Sequence, residues 1–212
     1  MNKSKLLFPE IAMEDLSEAV KEIIPGNVIA IASRPAIGKT YTALKLINTL
    51  SGGGCVKTLY FTSHNEFTQI QLMVNSIGLS SNIETRLVSN FSEELIEKQV
   101  KEGVSLIVID ELRNLEIYTK QETIKILKSM AQKYNIPIIV ITDVKRSVEH
   151  IKNHRPTLKD ICSAKTAVKL FDSILLLYRE HFYNHDEINN NIEINIAKKT
   201  NSEASGDTTG WF

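Results

Sequence analysis

Ser33-Arg34-Pro35-Ala36-Ile37-Gly38-Lys39-Thr40 is one residue short of a phosphate-binding loop: Ser33 stands where the pattern G-x-x-x-x-G-K-[ST] has its first glycine. Phosphate binding needs backbone N–H groups aimed at the phosphate oxygens, a helix N-terminus facing them, and a lysine that reaches the outer phosphates. Gly38 gives the close backbone approach, Lys39 the charge and Thr40 a hydroxyl for Mg²⁺, with Tyr41 next in line. The first glycine mainly eases the turn, so its loss matters less than loss of Gly38 or Lys39 would. A carboxylate at the end of a buried strand is the second requirement, to hold Mg²⁺ through water. The run LIVIDE (106–111) places Asp110 there, with Glu111 beside it. Ser33 to Tyr41 are therefore the expected nucleotide contacts, and Thr40 and Asp110 the expected metal pair.

A bare Gly-Lys-Thr is common by chance, so the flanking elements decide its meaning. The apolar, β-branched run NVIAIA (27–32) leads into the loop, and a helix is expected at 39–50, closed by Ser51 and a glycine run that can take the left-handed conformation. Strands are expected at 56–62, 85–89, 104–110, 136–142, 172–178 and 192–197, and further helices at 66–77, 91–103 and 119–134. This alternation implies βαβ units, hence an α/β fold with a mostly parallel central sheet flanked by helices. The polar stretch EHFYNHDEINNN between the last two strands makes them an antiparallel hairpin at the sheet edge. Residues 1–22 read as an arm or linker helix, and 23–212 as the domain proper.

The bulk composition is that of an ordinary globular chain. It has 212 residues, 42% hydrophobic, with 25 basic and 25 acidic side chains, so no global charge argues for nucleic acid. The neutrality hides an asymmetry. From Lys145 to Lys169 there are seven basic residues (Lys145, Arg146, Lys152, Arg155, Lys159, Lys165, Lys169) against two acidic ones, Glu149 and Asp160. Cys55 and Cys162 form no metal or disulfide pattern, and His181 with His185 falls in the polar hairpin turn rather than on a helix face. No apolar run approaches the ~18 residues a membrane span requires. No secretory signal begins the chain, so no membrane contact and a cytoplasmic location are expected.

Several blocks in order resemble the C-terminal ATPase domain of the DnaB-type replicative helicases, a RecA-like P-loop motor. GNVIAIASRPAIGKT is similar to the family's first motif, which reads ARPSMGKT and also lacks the leading glycine. TLYFTSHNEFTQIQL corresponds to the strand ending in FSLEM, and LIVIDELRNL to LIVIDYLQL. IPIIVITDVKRSVEHIKNHRPTLKDI follows the pattern of a buried strand, then S-Q-L-S-R-x-V-E and R-P-x-L-x-D-L. DSILLLYREHFYN resembles D-V-V-x-x-L-Y-R-x-x-Y-Y, and INIAKKTN the start of I-x-x-A-K-Q-R-N-G.

The resemblance implies ATP and Mg²⁺ as cofactors, hydrolysis coupled to movement on single-stranded DNA, and a ring, hexameric in the family, with sites between subunits. Lys39 then stabilises phosphates. Lys145, Arg146, Lys152, Arg155, Lys159 and Lys165 face DNA, and no aromatic residue in that segment is there to stack on bases. A full-length replicative helicase or primase is the implied protein partner, though the family's N-terminal domain has no counterpart in these residues. The departures fall on catalytic and coupling positions. His64 stands at the family's catalytic glutamate and Asp143 at its γ-phosphate-sensing glutamine. Thr200 replaces the arginine that reaches a neighbouring subunit, while the accompanying lysine remains as Lys198, with Lys199 the other candidate for that charge. Many other P-loop ATPases orient water with a glutamate directly after the metal aspartate, which makes Glu111, or alternatively Glu66, the expected base. Three functions stay open: a helicase motor, a catalytically weak ATP-binding paralogue that regulates or assembles with a helicase, and a RecA-like ATPase of recombination or clock type.

Overall fold

Unbroken apolar runs become strands buried on both faces, because only a sheet covered by helices on each side removes them from water. The computed structural model describes residues 9–52, 56–79, 81–115, 120–162, 165–184, 186 and 188–200, with the side chains of 114, 120 and 165–167 outside that description. In chain order the elements are α1 (Met13–Val20), β1 (Val28–Ser33), α2 (Lys39–Ser51), β2 (Thr58–Thr62), α3 (Phe67–Ile77), β3 (Ile83–Leu87) and α4 (Glu93–Lys101). They continue as β4 (Leu106–Asp110), α5 (Lys120–Tyr134), β5 (Ile138–Asp143), α6 (Lys165–Leu170), β6 (Ser173–Tyr178), α7 (Glu180–Tyr183) and β7 (Glu193–Lys198).

The sheet has seven strands in the order β3-β2-β4-β5-β1-β6-β7, parallel throughout except for the antiparallel β6–β7 edge pair. Alternation along each strand splits the core in two. Val28, Ala30 and Ala32 of β1 pack with Ile96, Ile124 and Leu127 of α4 and α5. Ile29 and Ile31 face the opposite layer, with Leu44 of α2, Ile70 of α3 and Leu16 of α1. The expected fold class is thus the observed one.

Several local expectations shift. β3 begins at Ile83, two residues before the expected 85, because its register with β2 pairs Thr58 with Ile83 and Thr62 with Leu87. Val88–Asn90 then turns in a 3-10 helix. Gly52 closes α2 at φ −62°, a right-handed rather than a left-handed cap, and the rest of the glycine run lies outside the described residues, as does Cys55. The link between β6 and β7 carries the helical turn α7 rather than a plain polar turn. Ahead of the sheet, α1 packs on the domain through Leu16 and Ala19, both buried. Buried Glu22 accepts hydrogen bonds from Ser173 Oγ (2.6 Å) and Thr200 N (2.7 Å), tying this segment to the chain's far end.

Candidate functional site

In this order β1 lies between β5 and β6, and β5 lies next to β4, so the loops leaving β1, β4 and β5 converge at one edge of the sheet. Ligand sites of open α/β sheets form at such carboxyl ends. Ser33 is in register with Asp143, and Thr62 with Asp110. The residues from Pro35 to Tyr41, Ile37 excepted, join Glu66, Ile70, Asp110, Glu111 and Arg113 around a cleft of about 290 Å³.

The loop itself is shaped by two positive-φ residues, Ala36 (64°) and Gly38 (124°). The φ of 124° favours glycine at Gly38, and a Cβ there would come 2.5 Å from Ile192 Cδ1, so that side chain would also have to shift. Ile192 in turn donates its N–H to Glu10 O (2.8 Å) and bridges to Ile11. Ser33 and Ile37 are buried beneath the loop; the Ser33 hydroxyl donates to Arg34 O at 2.9 Å. Arg34 points away from the cleft: its Nε donates to Glu149 Oε1 (2.8 Å) and Nη1 to Val144 O (3.2 Å), fastening the loop to the chain after β5.

Beside the loop, the hydroxyls of Thr40 and Tyr60 both donate to Asp110 Oδ2, each at 2.7 Å. Asp110 is 2% exposed, and burial pushes its pKa up to about 6, with the two hydroxyls pulling the other way. Burial also raises Tyr60 well above the usual phenol value, which keeps it a donor. A carboxylate and a hydroxyl at this spacing, next to the phosphate loop, are the hard oxygen donors Mg²⁺ takes. The residues present fit that ion.

Four charges close a ring of which Lys39, Glu111 and Arg113 line the cleft and Asp143 lies behind them. Lys39 Nζ is 2.8 Å from Asp143 Oδ1 and 3.4 Å from Glu111 Oε1. Arg113 Nε is 2.6 Å from Glu111 Oε2, and its Nη1 3.3 Å from Asp143 Oδ2. Burial raises the Glu111 pKa, with Lys39 opposing. A carboxyl of raised proton affinity at the cleft floor suits a general base.

The other expected positions separate from this group. His64 is exposed on the turn before α3 and does not line the cleft; Glu66, two residues on, does, and accepts from Ser63 Oγ at 2.9 Å. Lys198 pairs in register with Ile174 near the start of β6, at the opposite edge of the sheet. Its ammonium donates to the carbonyls of Phe171 and Lys169, and burial lowers its pKa. Thr200 lies inward at that same edge, its hydroxyl 2.7 Å from Ser173 Oγ.

In the basic segment after β5, Lys145 N donates to Asp160 O (2.6 Å) and Lys145 Nζ to Lys159 O (2.7 Å), which brings the two ends of the 145–160 stretch together. Arg146, Lys152 and Lys159 are exposed. Arg155 differs: its guanidinium is engaged by the Glu193 carboxylate (Nη2 to Oε1 3.1 Å) and stacks 4.0 Å over the Tyr178 ring. Lys165 opens α6, but its side chain lies outside the described residues, as does His185. The segment is also less free of aromatics than its sequence implies, since Tyr183 of α7 stacks on His154 at 4.4 Å. Sequence reasoning misses Arg113 and Tyr60 at the site. Arg113 follows Asp110 by three residues and Tyr60 sits on the strand next to β4, signals that become legible once the strand order is known.

A family model for the DnaB-like helicase C-terminal domain matches residues 85–209. The replicative DNA helicase DnaB of Geobacillus stearothermophilus is 25% identical over 220 residues, covering 82% of this chain and 48% of that protein. The chain thus spans about half the length of the curated relatives it matches. Among solved structures, a DnaB-like replicative helicase studied with primase superposes with a TM-score of 0.67 at 22% identity, over 85% of this chain and 54% of the other. A KaiC-like protein of the archaeon Pyrococcus horikoshii superposes at 0.57 and 14% identity, over 82% of this chain and 80% of that one. The fold shared with these is the RecA-like ATPase fold.

Proposed function

The chain belongs to the DnaB-like helicase C-terminal domain family, and on that footing we propose that it hydrolyses ATP to move along single-stranded DNA and unwind duplex in DNA replication. The observation that carries this reading is the convergence of Lys39, Thr40, Asp110 and Glu111 around one cleft beside a helix N-terminus. Lys39 exchanges its carboxylate partners for phosphate oxygens, and the backbone of 36–40 wraps the phosphates. Thr40 and Asp110 would hold Mg²⁺, which when bound neutralises phosphate charge. Glu111, freed from Lys39, orients the attacking water. Chemically this is positioning and electrostatics more than covalent work.

The exposed cations Arg146, Lys152 and Lys159 supply phosphate contacts to DNA, and the Arg34–Glu149 pair links that surface to the nucleotide loop. Assembly into a ring, hexameric as the resemblance implies, and contact with a full-length helicase or primase belong to this proposal. Steady-state ATPase measurements with and without single-stranded DNA test it. Turnover stimulated by DNA is expected; tight ATP binding with no turnover under either condition would sink the motor. That second outcome supports the other reading, an ATP-binding paralogue that regulates a helicase, which the inward-turned Thr200 and the Lys39–Asp143 pair favour. The recombination or clock type is disfavoured by the family to which the chain belongs.

A further inference from the structure

Among the described residues lining the cleft, two carry positive charge, Lys39 and Arg113. Lys39 has its role from the loop, while Arg113 is so far unaccounted for. It stands in the 3-10 turn Leu112–Asn114, directly after the β4 end that carries Asp110 and Glu111. Leu112, 1% exposed, pins that turn to the core, whereas the Arg113 side chain is 60% exposed at the cleft. Its guanidinium touches the same two carboxylates that hold Lys39. A phosphate that takes Lys39 from these carboxylates therefore arrives beside a second cation held on the same two groups.

Resting on the nucleotide reading above, we propose that Arg113 is a catalytic residue that binds the γ-phosphoryl oxygens of ATP in the cleft of its own chain. Three observations support it. Each of its two carboxylate contacts is shared with Lys39, so the ring carries two positive and two negative charges and offers phosphate two cations once opened. A guanidinium is permanently charged and planar, with a donor fork that matches two phosphoryl oxygens. Finally, Lys198 and Thr200 lie at the opposite edge of the sheet from this cleft, so within one chain Arg113 is the cation that stands beside Lys39 there.

In the step itself the water oxygen bonds to the γ-phosphorus. The bond from that phosphorus to the β,γ-bridging oxygen breaks, and its electron pair leaves on ADP. The water proton passes to Glu111 and then to the released phosphate. Arg113 makes and breaks no covalent bond; it holds the charge on the γ-phosphoryl oxygens, where such donors act most strongly.

The test uses the full chain and its Arg113→Ala and Arg113→Lys variants, measuring ATP binding, turnover, and capture of ADP–aluminium fluoride with Mg²⁺. Arg113→Ala is expected to bind ATP nearly as the parent does, to lose about 10³-fold or more in kcat, and to fail to capture ADP–aluminium fluoride. Arg113→Lys should recover part of both. Mixing Arg113→Ala chains with Lys39→Ala chains should restore nothing, since each site needs both residues from one chain. Recovery on mixing overturns the own-chain assignment. A fall in kcat with capture intact makes Arg113 a mere partner of Glu111 and also overturns the proposal. If the parent chain binds ATP without turning it over, the Arg113 role fails while nucleotide binding stands. A parent that does not bind ATP at all refutes the nucleotide reading first.

Discussion

Lys39 Nζ lies 2.8 Å from Oδ1 of Asp143, so the lysine of the phosphate loop already holds an anion from its own chain. Incoming phosphate has to compete with that carboxylate, not with water alone. Asp143→Asn keeps the shape and removes the competing charge. It should tighten ATP binding about tenfold, the worth of roughly 1.4 kcal/mol in one charged contact. Calorimetric titration checks this, and an affinity unchanged or weaker than the parent's refutes the competition.

Glu111 is the expected water-orienting base, and its burial raises its proton affinity. Glu111→Gln should leave ATP bound and slow hydrolysis by about 10²–10⁴-fold, the usual share of a general base. Turnover at the parent's rate would move the role to Glu66, the other carboxylate weighed for it, which also lines the cleft.

Asp110 ties stability to pH. Its folded pKa of about 6 stands above its ordinary 3.8. A group raised in this way contributes stability that is full below the unfolded value and is lost as pH rises through the folded one. Without Mg²⁺ at a pH of about 7.5 the site thus holds a buried, charged carboxylate. Asp110→Asn should then raise the thermal midpoint, by on the order of 2 kcal/mol in stability, and the gain should shrink toward a pH of about 4. The same variant should lose the stabilisation that Mg²⁺ with nucleotide gives the parent. Thermal melts across pH, in chelator and in Mg²⁺·ATP, measure both effects.

Local chemistry made much of this site legible in advance. The 33–40 loop is a contiguous run between a strand and a helix, and Asp110 ends an unbroken apolar strand, so the meeting of Lys39, Thr40 and Asp110 at one cleft could be read directly from spacing. What pairing across the sheet decides could not be. Arg155 looked like part of a basic surface, yet Glu193, 38 positions away, holds it. Lys198 looked poised to leave the chain, but the carbonyls of Lys169 and Phe171 draw it in. Arg113 carried no motif, and its place follows from β5 lying beside β4, which puts Asp143 within its reach.

The basic surface gives a graded prediction for DNA. Lys152 is exposed, so Lys152→Ala should weaken single-stranded DNA binding evenly across sequences and reduce the slope of log affinity against log salt by about one. Arg155→Ala should instead lower the thermal midpoint, because it removes the guanidinium that pairs with Glu193 and packs on the Tyr178 ring. Fluorescence anisotropy at several salt concentrations separates the two. A steeper salt effect from Arg155→Ala than from Lys152→Ala refutes the assignment.

Glu10, Gly38 and Ile192 meet at one point, with Ile192 resting on the glycine of the loop and bonded to the segment before α1. This sets an order of events during synthesis. The side chain that packs against the Gly38-Lys39-Thr40 triplet is added some 150 residues after it. Contacts this distant in sequence are closed late, after the loop-closure entropy between them has been met. A nascent chain carrying the whole nucleotide motif is accordingly expected to remain unable to hold nucleotide until β7 has emerged. Nucleotide capture would then report that Ile192 has been made and has packed on Gly38.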